Sequence, residues 1–304
     1  MKLKKLTAVL LTLSLVASVA GCSKVKSVSA EDFIAACEKM DASEVDPEDM
    51  SDLDADDYED GVYCVMDADY IEDNWDDAEG DINAYSAYGL STPNVFDDFE
   101  AEDFEQMVVF CKMAQDGVDD IDAPEDVEDA TFDIVMGMQI TLADDDRTEE
   151  IMNNIADLLD EINIDVDDLS SGEYGASSKE GFLKLHMDLA EFAQAIKDSD
   201  AYDMLSGFAG DMDDIDAVLD SLSGDLAVAV YVKGQNIVIV VGSALNQDAD
   251  LLPTFCSKLG VGDPLKVDSN ELIAEGLCDY IDDKVGTLLG LAAGGLTEDT
   301  ASYY

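Results

Sequence analysis

Apolar residues recur at helical spacing in several stretches, most of which open on a residue able to cap a helix. Ser29 precedes Phe33, Ala36, Cys37 and Met40 in "SAED", a capping-box pattern. "DRTE" at Asp146–Glu149 precedes Ile151, Met152, Ile155, Leu158, Leu159 and Ile162, all on one face. Asp188 precedes Leu189, Phe192, Ala193 and Ile196, and Asp211 precedes Ile215, Val218, Leu219 and Leu222. Asp250 precedes Leu252, Phe255, Cys256 and Leu259, with Gly260 placed to end that helix. A last helix carries Ile273, Leu277, Tyr280 and Ile281.

Strand patterns are fewer. Phe132, Ile134, Met136, Met138, Ile140 and Leu142 alternate strictly with other residues, as in a half-buried strand. "DLAVAVYVKGQNIVIVVGSA" predicts a hairpin that turns at Lys233–Asn236, where Gly234 supplies a positive φ. Val62–Met66 predicts a short strand, and "FLKLHM" a further one, although Phe182, Leu185 and Leu189 also fit a helix. The order predicts an α+β fold, a mainly antiparallel sheet with amphipathic helices packed on one face of it. "ACEKM" (36–40) and "FCSKL" (255–259) look alike, and raise a duplication into two related halves, 31–165 and 175–296.

The first residues follow a different pattern. Lys2, Lys4 and Lys5 precede an uncharged apolar run, Leu6–Ala20, too short to span a bilayer comfortably. The run ends in Val19-Ala20-Gly21-Cys22, which resembles the lipobox of bacterial lipoproteins. The resemblance implies a signal peptide over 1–21, lipidation of Cys22, a tether over 22–30 and an outward-facing body held on the cell membrane by acyl chains. The globular region is then 31–296, with a loose tail at 297–304.

Charge narrows the function classes. The chain holds 72 acidic and 15 basic residues, a net charge of −57. Residues 1–21 hold three of the lysines and no acid, so the remainder carries three charges more, −60. Such a surface excludes nucleic acid as a partner, because that binding rests on Lys and Arg at phosphates. Apolar residues still make up 47%, which argues for a folded core rather than disorder. After Cys22 five cysteines remain, an odd number with no CxxC pair. Cys37 and Cys256 fall on apolar helix faces and read as buried thiols; one or two disulfides is the alternative.

No motif specifies a reaction, and no catalytic residue is assigned. His186 is the only histidine, and no GxSxG, Walker loop, GxGxxG or HExxH is present. The nearest calcium-loop match runs from Asp56 to Asp67, with Asp56, Asp60 and Asp67 as candidate ligands. Tyr58 stands where an oxygen ligand is required, so weak, distributed Ca²⁺ binding is the expectation. Residues 58–110 hold 10 of the 22 aromatics, and no Lys or Arg lies between Lys39 and Lys112. Tyr58, Tyr70, Trp75, Tyr85 and Tyr88 are the candidate binding residues, for a carbohydrate or cationic ligand if exposed; otherwise they fill the core. The function read from the sequence is a membrane-anchored binding or interaction module. A carboxylate-dependent surface hydrolase such as a glycosidase, and a structural envelope protein without a small ligand, are the alternatives.

Overall fold

The computed structural model describes residues 25–75, 96, 99–117, 130–144, 147–199, 202 and 213–280. The lipobox, Tyr85, Tyr88, Asp146, Asp211 and the 297–304 tail lie outside them. Eight strands form one sheet, in the order β1-β2-β3-β4-β8-β7-β6-β5. They are β1 Ser43–Glu44, β2 Val62–Asp67, β3 Phe104–Asp116, β4 Thr131–Leu142, β5 Tyr174–Ala176, β6 Glu180–Asp188, β7 Gly224–Lys233 and β8 Asn236–Leu245. Every neighbouring pair is antiparallel except β1 with β2. The α+β class and the mainly antiparallel sheet follow the sequence reading.

The helices lie on both faces rather than one. Helices α1 Ala30–Glu38 and α7 Leu251–Leu259 cover one face, where Phe33, Cys37, Phe255 and Cys256 pack on Phe110, Ala229 and Val240. On the other face lie α4 Thr148–Glu161, α5 Leu189–Lys197, and the helical residues 68–75 (α3) and 270–280 (α8). The parity of β7 shows the division. Val228, Val230 and Val232 face α4, whereas Ala227, Ala229 and Tyr231 face α1 and α7. Helix α2 Ala55–Asp60 packs beside β3, and α6 Asp213–Ser221 beside α5.

The strand order is the same read from either end when β1–β4 are exchanged with β5–β8. Gly137 on β4 lies under Phe33 of α1, and Gly242 on β8 under Leu252 of α7. An added Cβ would come within 2.8 Å of Phe33 and 2.6 Å of Leu252 respectively. Cys37 and Cys256 are buried on these two helices, and α7 ends on the left-handed Gly260. Helix α1, which holds 36–38 of the first stretch, precedes β1, and α7, which holds 255–259, follows β8.

Local chemistry accounts for the helix ends. Ser29 accepts from Asp32 N–H, and Asp188 from Ala190 and Glu191 N–H. At α7, Asp250 makes no side-chain cap. Asp133 of β4 caps it instead, its Oδ2 accepting from Asp250 and Leu251 N–H at 2.9 and 3.0 Å. Lysines close the C-terminal ends of three helices. Lys26 Nζ donates to Leu259 O (2.7 Å), and Lys112 Nζ to Met40 O (2.9 Å) and Asp60 O (3.0 Å).

Residues 22–30 are not wholly a tether. Val25 and Val28 are core residues, 5% and 1% exposed, and Lys233 Nζ donates to Val25 O at 2.7 Å. Val25 and Val28 therefore belong to the body.

Cys37, Cys64, Cys111, Cys256 and Cys278 form no disulfide. Burial raises the thiols, pushing Cys64 up to about 11 and Cys256 up to about 12, and Cys37 upward as well. Native alkylation near pH 8 should therefore modify Cys37 and Cys256 orders of magnitude more slowly than alkylation in denaturant. Rapid native labelling of both would contradict this packing.

Candidate functional site

The metal candidates separate in the fold. Asp56 and Asp60 are exposed on α2, one turn apart. Asp67 ends β2, about 17 Å further along a strand of that length, and caps α3 by accepting from Tyr70 N–H at 2.9 Å. The stretch that matched a calcium loop is thus a helix, a strand and a helix cap, because Gly61 turns the chain into a sheet rather than around an ion. No group of three or more His, Cys, Asp or Glu side chains gathers in metal-binding fashion among the described residues.

Of the aromatic candidates, Tyr58 and Trp75 turn inward. Tyr58 packs with Met113 and Ile134, and burial raises its phenol. Trp75 stacks on Phe104 at 5.0 Å, and Phe104 meets Phe96 and Phe99 at 5.7 and 5.8 Å. Arg147, the only arginine, lies 3.9 Å over the Phe99 ring and bonds Asp103 (3.0 Å) and Glu150 (2.5 Å). This cation fastens the aromatic wall to the first turn of α4. Tyr70, half-buried, lies near Asp46 and Glu48, which help raise its phenol after burial itself.

His186 bridges elements instead of serving a nucleophile. Its Nε2 meets Asp225 Oδ1 at 2.6 Å and its Nδ1 meets Val267 O at 3.3 Å. The nearby serine, Ser269, is bonded to the His186 backbone, accepting from its N–H and donating to its carbonyl. Asn270 Oδ1 likewise accepts from Asp188 N–H. These side chains close the outer edge of β6 beyond its short pairing with β5, where bare strand groups would otherwise invite pairing.

What the sequence reading missed lies at the centre of the sheet. On the α4 face, Val109, Met138 and Ile239 stand side by side on β3, β4 and β8, with Cys111 and Met136 in the next row. Met66, Met107, Met138 and Ile239 are only partly buried, as are Cys111 and Met136. On this face α2 packs on β3, with Ala55 and Tyr58 in the cluster of Cys111 and Met136, and α4 and α5 pack over β6 and β7, while α1 and α7 lie on the opposite face. The result among the described residues is an apolar strip about three strands wide, some 10–14 Å. The Trp75–Phe104 wall borders one side, and α4 and α5 the other. Methionine is flexible and polarizable, and suits contacts with ligands of irregular shape. The alternation from Phe132 to Leu142 was the available signal; sequence alone could not say that this face stays partly open.

Two buried polar groups mark the opposite face of β4. Gln139 Nε2 donates to Thr141 Oγ1 and Asn236 Oδ1, both at 3.1 Å. Asp133 is 4% exposed, and its Oδ1 has no hydrogen-bond partner. Burial holds its carboxyl above the usual carboxylate range, Asp250 adding to the effect and the two N–H bonds opposing it. No helix among the described residues is long and apolar enough to cross a membrane. The chain matches no known protein family, no curated protein and no solved structure.

Proposed function

We infer that the protein is a lipid-anchored, outward-facing bacterial lipoprotein whose acidic body binds a small, uncharged, apolar ligand. The half-open methionine strip on β3, β4 and β8 carries the binding part of this reading. Its lining residues bear no charge, so a carbohydrate or a cation gains no polar contact from them. An apolar ligand gains about 25 cal/mol for each Å² of surface removed from water there. The anchor part rests on the leader and on Cys22. The strong negative charge elsewhere keeps such a body soluble and away from other anionic surfaces.

Nile red, a neutral apolar dye, probes the strip. Wild-type protein should enhance its fluorescence saturably, and Met138→Glu should weaken that binding at least tenfold without a large loss of thermal stability. Equal binding by the two proteins would remove the strip from the reading. Cys22→Ser should move the protein from membranes into the soluble fraction, and a variant that stays in the membrane would remove the anchor.

A further inference from the structure

Ten lysine and arginine residues lie in the described part of the chain, and six of them gather at one corner: Lys26, Lys179, Lys184, Lys233, Lys258 and Lys266. The contacts connect them in sequence. Lys179 O accepts from Gly234 N–H, beside Lys233. Lys233 bonds Val25 O, next to Lys26. Lys26 reaches Leu259 O at the end of α7, next to Lys258. Beyond that end, Lys184 Nζ lies against Gly262, in the loop that leads to Lys266. The carboxylates paired with this group are Glu180, on Lys233, and Asp263, on Lys266, with Asp144 and Asp268 exposed at its flanks. Lys179, Lys258 and Lys266 point outward. A local positive patch in a chain of net charge −57 needs a reason.

Its place supplies one. The patch surrounds Val25, the first described residue, which follows closely on Cys22 in the sequence. Two residues, Ser23 and Lys24, separate Val25 from Cys22, and the three steps between them span at most about 11 Å when extended. We propose that this lysine corner is a membrane-docking surface, which seats the body on anionic lipid headgroups and turns its acidic remainder outward. The proposal rests on the lipid-anchor reading, and adds the orientation of the body and the chemistry of the lipid it prefers. Each lysine near an anionic leaflet gains about 1 kcal/mol, and an anchor of acyl chains plus a basic patch holds better than either alone. Acids on the far side of the body lie beyond the screening length of about 8–10 Å and oppose this only weakly.

Lysine footprinting on the acylated full-length protein tests the orientation. The protein is reconstituted in phosphatidylglycerol-containing vesicles, in pure phosphatidylcholine vesicles and in detergent, then acetylated with an amine-reactive ester and mapped by peptide mass. Lys179, Lys258 and Lys266 should react about five-fold more slowly on the anionic vesicles than in detergent, the factor that ~1 kcal/mol represents. Lys39, exposed at the far end of α1, should react alike in all three. Reversing the three charges (Lys179→Glu, Lys258→Glu, Lys266→Glu) should abolish the difference between vesicle types, read at Lys184 and Lys233, with the melting temperature unchanged. Equal reaction of Lys39 and Lys179 on anionic vesicles, or equal protection on both vesicle types, overturns the docking surface and leaves the anchor standing. An N-terminal peptide without acyl mass overturns the anchor, and the docking surface with it.

Discussion

Phe255→Ala should destabilise the protein by about 3–5 kcal/mol, the usual loss for a fully buried phenylalanine. The ring is the centre of the α1–α7 layer. It stacks on Phe110 at 4.4 Å, meets Phe33 edge-on at 5.5 Å and overlies Gly137. Its removal takes apolar surface out of the core and leaves a cavity under two helices that α1 and α7 cannot close together, because Asp133 and Lys26 hold the two ends of α7. At about 2–4 °C per kcal/mol, the melting temperature should fall by roughly 6–20 °C. Gly137→Ala should act on the same contact from below, since its Cβ would lie 2.8 Å from both rings. Adding Phe33→Leu to Gly137→Ala should recover part of the loss, an interaction that a double-mutant cycle measures. A drop below about 1 kcal/mol for Phe255→Ala, within the range of ordinary surface changes, would contradict this packing.

Asp133→Asn should flatten the pH dependence of stability while keeping the cap of α7. The folded carboxyl titrates above its unfolded range. Between the two, the native state holds a proton that the unfolded chain has released, so stability falls as pH rises through that window. The slope for one proton is at most about 1.4 kcal/mol per pH unit. Asparagine keeps an oxygen for the Asp250 and Leu251 N–H groups and places an amide where the bare Oδ1 now sits. The overall acidic repulsion is common to both proteins, so the difference between their denaturant midpoints isolates Asp133. That difference should grow in favour of Asp133→Asn as pH is raised from 4, then level off. Parallel curves would show that the carboxyl titrates as it does in the unfolded chain. Asp133→Ala, which loses the acceptor, should cost about 1–2 kcal/mol as a lost helix cap.

Much of the fold was legible because it is set by near neighbours. Ser29, Asp188 and Gly260 cap helices through groups within four residues, and the β7–β8 hairpin turns on Gly234, at φ 57°. Strand β3 has no clear strand signature in the sequence. Phe104, Met107, Val108 and Cys111 also fit helical spacing, and only pairing with β2 and β4 on both sides makes the segment a strand. β4 read as half-buried, yet α1 and α7 bury its second face, so Asp133 and Gln139 became interior groups. The aromatic candidates illustrate the same limit. Their density was plain in the sequence, but whether Trp75 faces water or Phe104 depends on where α3 falls across the sheet.

From sequence alone came the leader pattern, the acidic surface, the capped helices and the antiparallel class, since composition and spacing up to about four residues decide those properties. The tertiary structure decided what depends on distant parts meeting. It chose Asp133 over Asp250 as the cap of α7 across more than a hundred residues, and gathered lysines from 26 to 266 at one corner. It also left Met107, Met136 and Met138 half-covered. Each of these follows from which strands lie side by side, and local periodicity carries no information about that choice.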